Sequence, residues 1–254
     1  MSNGWSQRLR DELAQAWAVT VKDVRVYYLT PPMLMFGLML PFFLFFSFSI
    51  KREIGPDVGT ARLLALTTFF TASSAGPVII PLERRMGTYD RLLAAPMSLI
   101  TLLLGKALVG AFFALAVSVV PLLVGVLWLH VTIANIGFLL PGLGLASLAF
   151  SAFGLAFASI PTKSVGNIMM PSTLIRWPLL FISGIFIPVK EMASWAQALA
   201  HLSPLTYAQD LMNHAVLGEG LFNPWLDLVV LSVMSILLLL PSVKMHQRGR
   251  KLGY

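Results

Sequence analysis

The sequence predicts an all-α membrane protein: six transmembrane helices, an N-terminal amphipathic interfacial helix, and short helices in two long connections. Three observations predict this. Hydrophobic residues make up 57% of the 254 residues and charged residues 11%, against about 45–50% and about 25% in ordinary soluble proteins. The apolar residues are gathered into runs of the roughly 20 residues that a helix needs to cross a bilayer. The basic residues behind the net charge of +7 stand at the ends of those runs, so membrane topology explains them better than nucleic acid does. A water-soluble globule of this composition would expose large apolar patches, whereas lipid tails solvate them. The runs are too long and too uniform for the alternating pattern of a β-barrel strand.

Taken in order, residues 1–30 form the interfacial helix and residues 31–254 the six-span domain. In the first segment Trp5, Leu9, Leu13, Trp17, Val21, Val24 and Tyr28 recur every three or four residues, with Arg8, Asp11, Glu12, Lys22 and Asp23 mostly elsewhere. Such a stripe suits a helix lying along the membrane surface, or one packed on a partner. The spans fall at roughly 31–50, 62–82, 99–129, 136–160, 166–188 and 225–243. The third is longer than one crossing requires, and the fifth contains Arg176. Asn223-Pro224 before the last supplies an N-cap and a proline at the first helical position.

Six spans put both termini on one side. Thirteen Lys and Arg residues fall there, among them Arg8, Arg84, Arg91, Lys163 and Lys244, against four (Lys51, Arg52, Arg62 and Lys190) on the other. The positive-inside rule makes the first side cytoplasmic and the protein a multi-pass protein of the cell membrane. Trp128, Trp195 and Trp225 then fall at outer ends, in the headgroup layer that indole rings prefer. The first apolar run lies behind a charged segment and lacks a small-x-small site, so no cleavable signal is expected. There is no cysteine, which excludes disulfides and thiolate chemistry.

Two connections carry more information than a turn requires. The cytoplasmic one, residues 83–98, reads ERRMGTYDRLLAAPMS. Its charged start and apolar Leu92, Leu93, Ala94 and Ala95 fit a short helix on the membrane surface. Gly87 is expected to break the chain and Thr88 to cap the short helix after it. The outer one, residues 189–218, holds two short helical patterns at roughly 190–202 and 205–217, split at Ser203-Pro204 and closed by Gly218. Met192, Trp195, Leu199 and Leu202 form one apolar stripe, and Leu205, Ala208, Leu211, Met212 and Val216 another. Both are too short to span, so they lie in the outer leaflet or enter it and return while packed on protein.

At these two connections the sequence resembles the type-2 ABC transporter permeases, the membrane subunits of drug, polysaccharide and lipid exporters. The cytoplasmic motif of that family appears as Glu83, Gly87-Thr88, Asp90, Leu92-Leu93, Pro96-Met97-Ser98 and Gly105-Lys106, with Tyr89-Asp90 where Leu-Glu is commoner. The late motif appears as Ser183-Gly184 and Pro188, then Trp195, then Pro204-Leu205-Thr206-Tyr207. The two motifs, in order, with six spans and an N-terminal helix, cover nearly the whole chain. The resemblance implies a half-transporter that pairs with a second copy of itself or a related permease and docks a cytoplasmic ABC ATPase. Residues 83–98 would be the cytoplasmic coupling helix, with Glu83, Arg84, Arg85, Gly87, Thr88, Asp90, Arg91 and Pro96 serving the ATPase contact. Trp195, Pro204 and Tyr207 would belong to the outer re-entrant pair.

No catalytic pattern stands in this chain. A phosphate loop ending at Gly105-Lys106 needs a glycine at 100 and Ser or Thr at 107, where Ile100 and Ala107 stand. His130, His201, His214 and His246 have no metal-ligand spacing. No cofactor or metal is therefore expected here, and ATP and Mg2+ belong to the partner ATPase. The rivals are a lipid-modifying membrane enzyme, which would need a His and acid constellation at one face, and an ATP-independent channel or scaffold. Arg176 is expected to avoid lipid, since a centred arginine costs about 2.5–3.5 kcal/mol on insertion scales. It either lines the substrate pathway and meets an anionic group, or pairs with carbonyls or snorkels. Thr67, Thr68, Thr71, Ser73, Ser74 and Gly76 suit close helix packing, with pathway lining the alternative for Thr67, Thr71 and Ser183.

Overall fold

The computed structural model describes residues 3–27, 31, 35–49 and 54–251, and every regular element among them is helical. Among the described residues ten α-helices run in order: α1 Asn3–Tyr27, α2 Leu40–Ser49, α3 Pro56–Met86, α4 Thr88–Ala94, α5 Leu99–Leu123, α6 Ile136–Ala158, α7 Val165–Ile182, α8 Ser194–Ala200, α9 Pro204–Val216 and α10 Pro224–Lys251. A π-helical turn, Met35–Met39, leads into α2, and another, Val124–Trp128, extends α5. Among the described residues five helices are long and apolar enough to cross a membrane: α3, α5 with its extension, α6, α7 and α10. The expected first span is represented by a shorter apolar helix, Gly37–Ser47. Residues 32–34 and 50, with Lys51, Arg52 and Tyr28, lie outside the described residues.

Boundaries differ from expectation for local reasons. α3 starts six residues before the expected 62, because Pro56 suits a first helical position and Asp57 favours the positive helix N-terminus. α7 stops at Ile182, not 188, because Gly184 takes a left-handed turn at φ 90°. The segment at 190–193 is a 3-10 turn and extended backbone, so α8 begins only at Ser194. The last helix starts as expected: Asn223 Oδ1 accepts the Trp225 N–H at 3.0 Å.

The bundle exposes large apolar side chains and buries polar ones alongside an apolar core. Phe43, Phe112, Leu140, Met170, Leu174 and Ile236 are exposed, while Thr67, Thr71, Ser73, Ser151, Ser172 and Arg176 are buried. Lipid as solvent accounts for both halves of that pattern. α3 is the axis, its whole apolar stretch enclosed by its neighbours. Ser73 and Gly76 of the expected small-residue cluster lie where α3 and α6 approach closely. A Cβ on Gly154 of α6 would fall on the Ser73 backbone of α3, and one on Gly110 of α5 would fall on Ser151 Oγ. The freed hydroxyls bond their own helices: Thr68 to Leu64 O at 2.7 Å, Ser74 to Phe70 O at 2.6 Å, Ser147 to Leu143 O at 2.6 Å.

The two ends of α3 define the two ends of the molecule. Its C-terminus leads into α4. Its N-terminus meets α9, which is buried along nearly all its length against α3, α6 and α10. α8 is more exposed, with Trp195 near 70% accessible, as is Leu202 just beyond its end. Trp128 and Trp225 are exposed at the same end. α1 packs on α5 through Ala16, Val19, Thr20 and Asp23, a face that adjoins the expected stripe only at Val24. Leu13 and Trp17 of that stripe point outward, Trp17 edge-on to the exposed Phe112 at 6.1 Å. α1 thus has one face for protein and one that continues the apolar exterior.

Candidate functional site

The residues expected to contact a partner begin at the end of α3. Gly87 ends that helix in the left-handed conformation, φ 70°, which a side-chain-bearing residue adopts only under strain. Its N–H bonds Arg84 O at 3.3 Å. Thr88 does not cap α4, as the sequence suggests; its hydroxyl donates back to Glu83 O at 3.3 Å and closes α3 instead. α4 then runs for 7 residues and stops at Ala95, whose extended backbone leads to Pro96. Ser98 caps α5, its Oγ accepting the Thr101 N–H at 3.0 Å.

Glu83 is completely buried, where it meets three other charges. Lys106 Nζ of α5 lies 2.5 Å from Glu83 Oε2 and 2.6 Å from Asp23 Oδ2 of α1. Lys22 Nζ closes the ring, 2.5 Å from Glu83 Oε1 and 2.6 Å from Asp23 Oδ1. Two cations and two anions sum to zero, which is how charges survive burial. Burial works to lower the Lys22 pKa, but its bonds to Asp23 and Glu83 outweigh that and leave it above its usual 10.5. Gly105 makes the ring possible. A Cβ there would sit 2.8 Å from Ala16 O and 2.9 Å from Val19 Cβ, so only glycine lets α1 approach α5. Thr20 Oγ1 bonds Gly105 O at 3.1 Å across the same contact.

Arg84 is also turned inward, 5% exposed. It donates to Ile160 O at 2.6 Å, beyond α6, and lies over the Tyr89 ring at 5.2 Å. Tyr89 is the buried anchor of α4; burial pushes its phenol up to about 12, and Arg84 works against that rise. Glu83 and Arg84 therefore fix the segment from within. Arg85, Asp90, Arg91 and Pro96 are exposed, and Gly87 and Thr88 half-buried. A ligand or partner reaching this end meets Arg85, Asp90 and Arg91. The residues overlooked in the sequence are Asp23 and Lys22. Their signal was two adjacent charges, one of them on the α1 face that packs on α5.

Arg176 is fully buried on α7. One guanidinium nitrogen donates to Ser74 Oγ at 3.1 Å and the other to Ser73 O. This is the carbonyl pairing that the sequence left open beside a pathway role. Among the described residues no carboxylate is in ion-pair range of it. Thr67 and Thr71 are buried on α3; Thr71 bonds Gly37 O at 2.7 Å, and among the described residues no partner reaches the Thr67 hydroxyl.

At the opposite end, Ser183 lines a cavity of about 360 Å³ with Arg62, Lys190, Gln209, Asp210 and Glu219. Pro204 starts α9, and Tyr207 donates to His201 O at 2.7 Å while stacking on Phe222 at 5.4 Å. Trp195 stands apart, facing outward.

A family model described as ABC-2 type transporter matches residues 14–217. The chain is similar to Nodulation protein J of Rhizobium leguminosarum bv. viciae, 28% identical over 109 residues, 43% of this chain and 42% of that protein. Against Nodulation protein J of Rhizobium leguminosarum bv. trifolii it is 26% identical over 193 residues, 69% and 71% of the two chains. Against "Probable multidrug ABC transporter permease YbhR" of Escherichia coli (strain K12) it is 22% identical over 159 residues, 62% and 43%. The match thus spans less than half the length of the first and last of these relatives.

Proposed function

The chain belongs to the ABC-2 type transporter family, and from that premise we propose that it is the permease of an ATP-driven exporter, docked to a separate ATPase. A transmembrane transport subunit, not an enzyme in its own right, is what the family describes. In the proposal, two such permeases pair, as two copies or as relatives, and each seats α4 in a cytoplasmic ABC ATPase that binds ATP and Mg2+. The helix Leu40–Ser49 with its preceding turn completes six spans in the cell membrane, with both termini in the cytoplasm. α1 lies at the inner surface among lipid headgroups, and α8 and α9 form the outer re-entrant pair. No nucleic acid is involved.

The observation that carries this reading is the junction beneath α4. A seven-residue helix alone is a weak lever, since isolated short helices are marginal. This one hangs from a buried four-charge ring and the Arg84–Tyr89 contact, so a push on Arg85, Asp90 or Arg91 moves α3 as a unit. With 31 residues, α3 carries that movement about 45 Å to α9 and the outer cavity. ATP-driven closure of two ATPases would supply the push, and the coupling works only if α4 meets its partner differently in the two states.

The substrate we propose is amphipathic or lipid-like, a drug or a lipid. The apolar surroundings support it, as do the charge of Arg176, which has no carboxylate in ion-pair range among the described residues, and the multidrug description of one relative. Arg176 is enclosed between α7 and α3, so it serves a substrate only in a state where those helices part. Thr67, Thr71 and Ser183 would line that pathway. The test is isolation of the permease in mild detergent. An ATPase subunit should copurify, and Asp90→Arg or Arg91→Glu should release it while insertion persists. Export that is normal in both variants would sink the assignment.

A further inference from the structure

The outer end also gathers Asp210, His214 and Asp227. Asp210 and His214 stand one turn apart on α9, on one face, and Asp227 arrives from the first turn of α10. A ligand atom from each lies within 4.8 Å of those from the other two. Asp210 is 4% exposed and Asp227 fully buried. Asp210 has a visible structural duty, accepting the N–H groups of Leu221 at 2.6 Å and Phe222 at 2.8 Å. Backbone donors of this kind favour the charged form of a carboxyl group. Asp227 has none: among the described residues no hydrogen-bond donor reaches either of its oxygens. A buried carboxylate facing another is unfavourable unless a proton or a metal cation stands between them.

We propose that Asp210, His214 and Asp227 bind one divalent cation, Zn2+ or Mn2+, which ties the start of α10 to α9. Each acid keeps an oxygen lone pair for an ion, Asp210 because its two backbone donors occupy only one pair on each oxygen. His214 Nε2 is 2.8 Å from Phe222 O and 3.7 Å from Asp210 Oδ2. In one tautomer Nε2–H bonds that carbonyl. In the other, the Nε2 lone pair is free for an ion. Imidazole among oxygens selects Zn2+ or Mn2+ over the all-oxygen preference of Mg2+ and Ca2+. The outer cavity reaches Asp210 and provides the way in. The site shares no residue with α4, so it stands or falls apart from the ATPase assignment.

The full chain in nanodiscs, stripped with EDTA, is titrated near neutral pH with ZnCl2 by calorimetry and with MnCl2 by electron paramagnetic resonance. The expected result is one ion per chain, a thermal midpoint that rises with ion, and imidazole-nitrogen coupling in the Mn2+ spectrum. Asp227→Asn and His214→Gln should each weaken binding at least about tenfold, the second abolishing the nitrogen coupling. If a variant fails to insert, the nitrogen coupling of the unaltered protein decides. No binding by that protein, or binding without nitrogen coupling, overturns the proposal. So does Asp227→Asn with stability unchanged or raised and no response to ion, the signature of a proton shared between two carboxylates.

Discussion

Replacing Lys106 with methionine tests the charge ring where it is most enclosed. Methionine keeps most of the volume and the apolar stem, so the change is chiefly electrostatic. The wild-type ammonium, 2% exposed, is 2.6 Å from Asp23 and 2.5 Å from Glu83. Without it, two fully buried carboxylates share Lys22 alone, and the ring goes from neutral to one net negative charge. Breaking a buried pair from one side costs about 3–5 kcal/mol. At about 2–4 °C per kcal/mol for chains of about this size, the thermal midpoint should fall by roughly 6–20 °C. Lys22→Met leaves the same two carboxylates to Lys106 alone, but the Lys22 side chain is 37% exposed, so water reaches the vacated place and the loss should be the smaller of the two. Glu83→Gln added to Lys106→Met should recover part of the loss, because the stranded charge is gone. The assay is heating in detergent followed by size-exclusion, with ATP-driven export in parallel. A midpoint for Lys106→Met within a degree of wild type, or one no lower than that for Lys22→Met, would refute the reasoning.

Further outcomes come from the same geometry. Gly154→Ala places a methyl on the Ser73 backbone and should cost about 1–3 kcal/mol, read as a lower midpoint; Gly137→Ala, where a Cβ meets nothing within 4 Å, should not. Tyr89 stays protonated in the fold up to about 12, while an unfolded tyrosine ionises near about 10. Stability should therefore drop as pH rises between those values, and Tyr89→Phe should flatten that drop; Lys22, raised above 10.5, adds loss in the same direction at higher pH. Arg176→Ala should reduce export of an anionic amphiphile more than that of a neutral one. Equal or unchanged export would remove Arg176 from the pathway.

Much of this architecture is legible in the chain because lipid imposes one strong rule. The long helices announce themselves by hydropathy, and Gly87, Gly218 and Asn223-Pro224 mark ends that the backbone respects. What stayed hidden depends on tertiary partners. Glu83 reads as one more surface charge until Asp23, 60 residues earlier in the sequence, is brought beside it. Thr88 sits between two helices, and spacing cannot say which one its hydroxyl closes. The protein-facing side of α1 is made of Ala16, Val19 and Thr20, residues too small for a hydrophobic stripe to reveal. The end of α7 was blurred because Ile185, Phe186 and Ile187 continue the hydropathy beyond the Ser183-Gly184 turn. Asp210 and His214 share a helix face, but the third member, Asp227, belongs to the next helix, where spacing along the chain carries no signal.

The central claim is that α4 is gripped by a nucleotide-driven motor at the inner membrane surface. A photo-crosslinking residue at position 91, with position 195 as the outer control, tests it most directly in intact cells. The account predicts a covalent adduct between position 91 and an ATPase subunit, altered in yield when ATP turnover is blocked, and none from position 195. An adduct-free position 91, or labelling of that position by a reagent confined to the cell exterior, would contradict it.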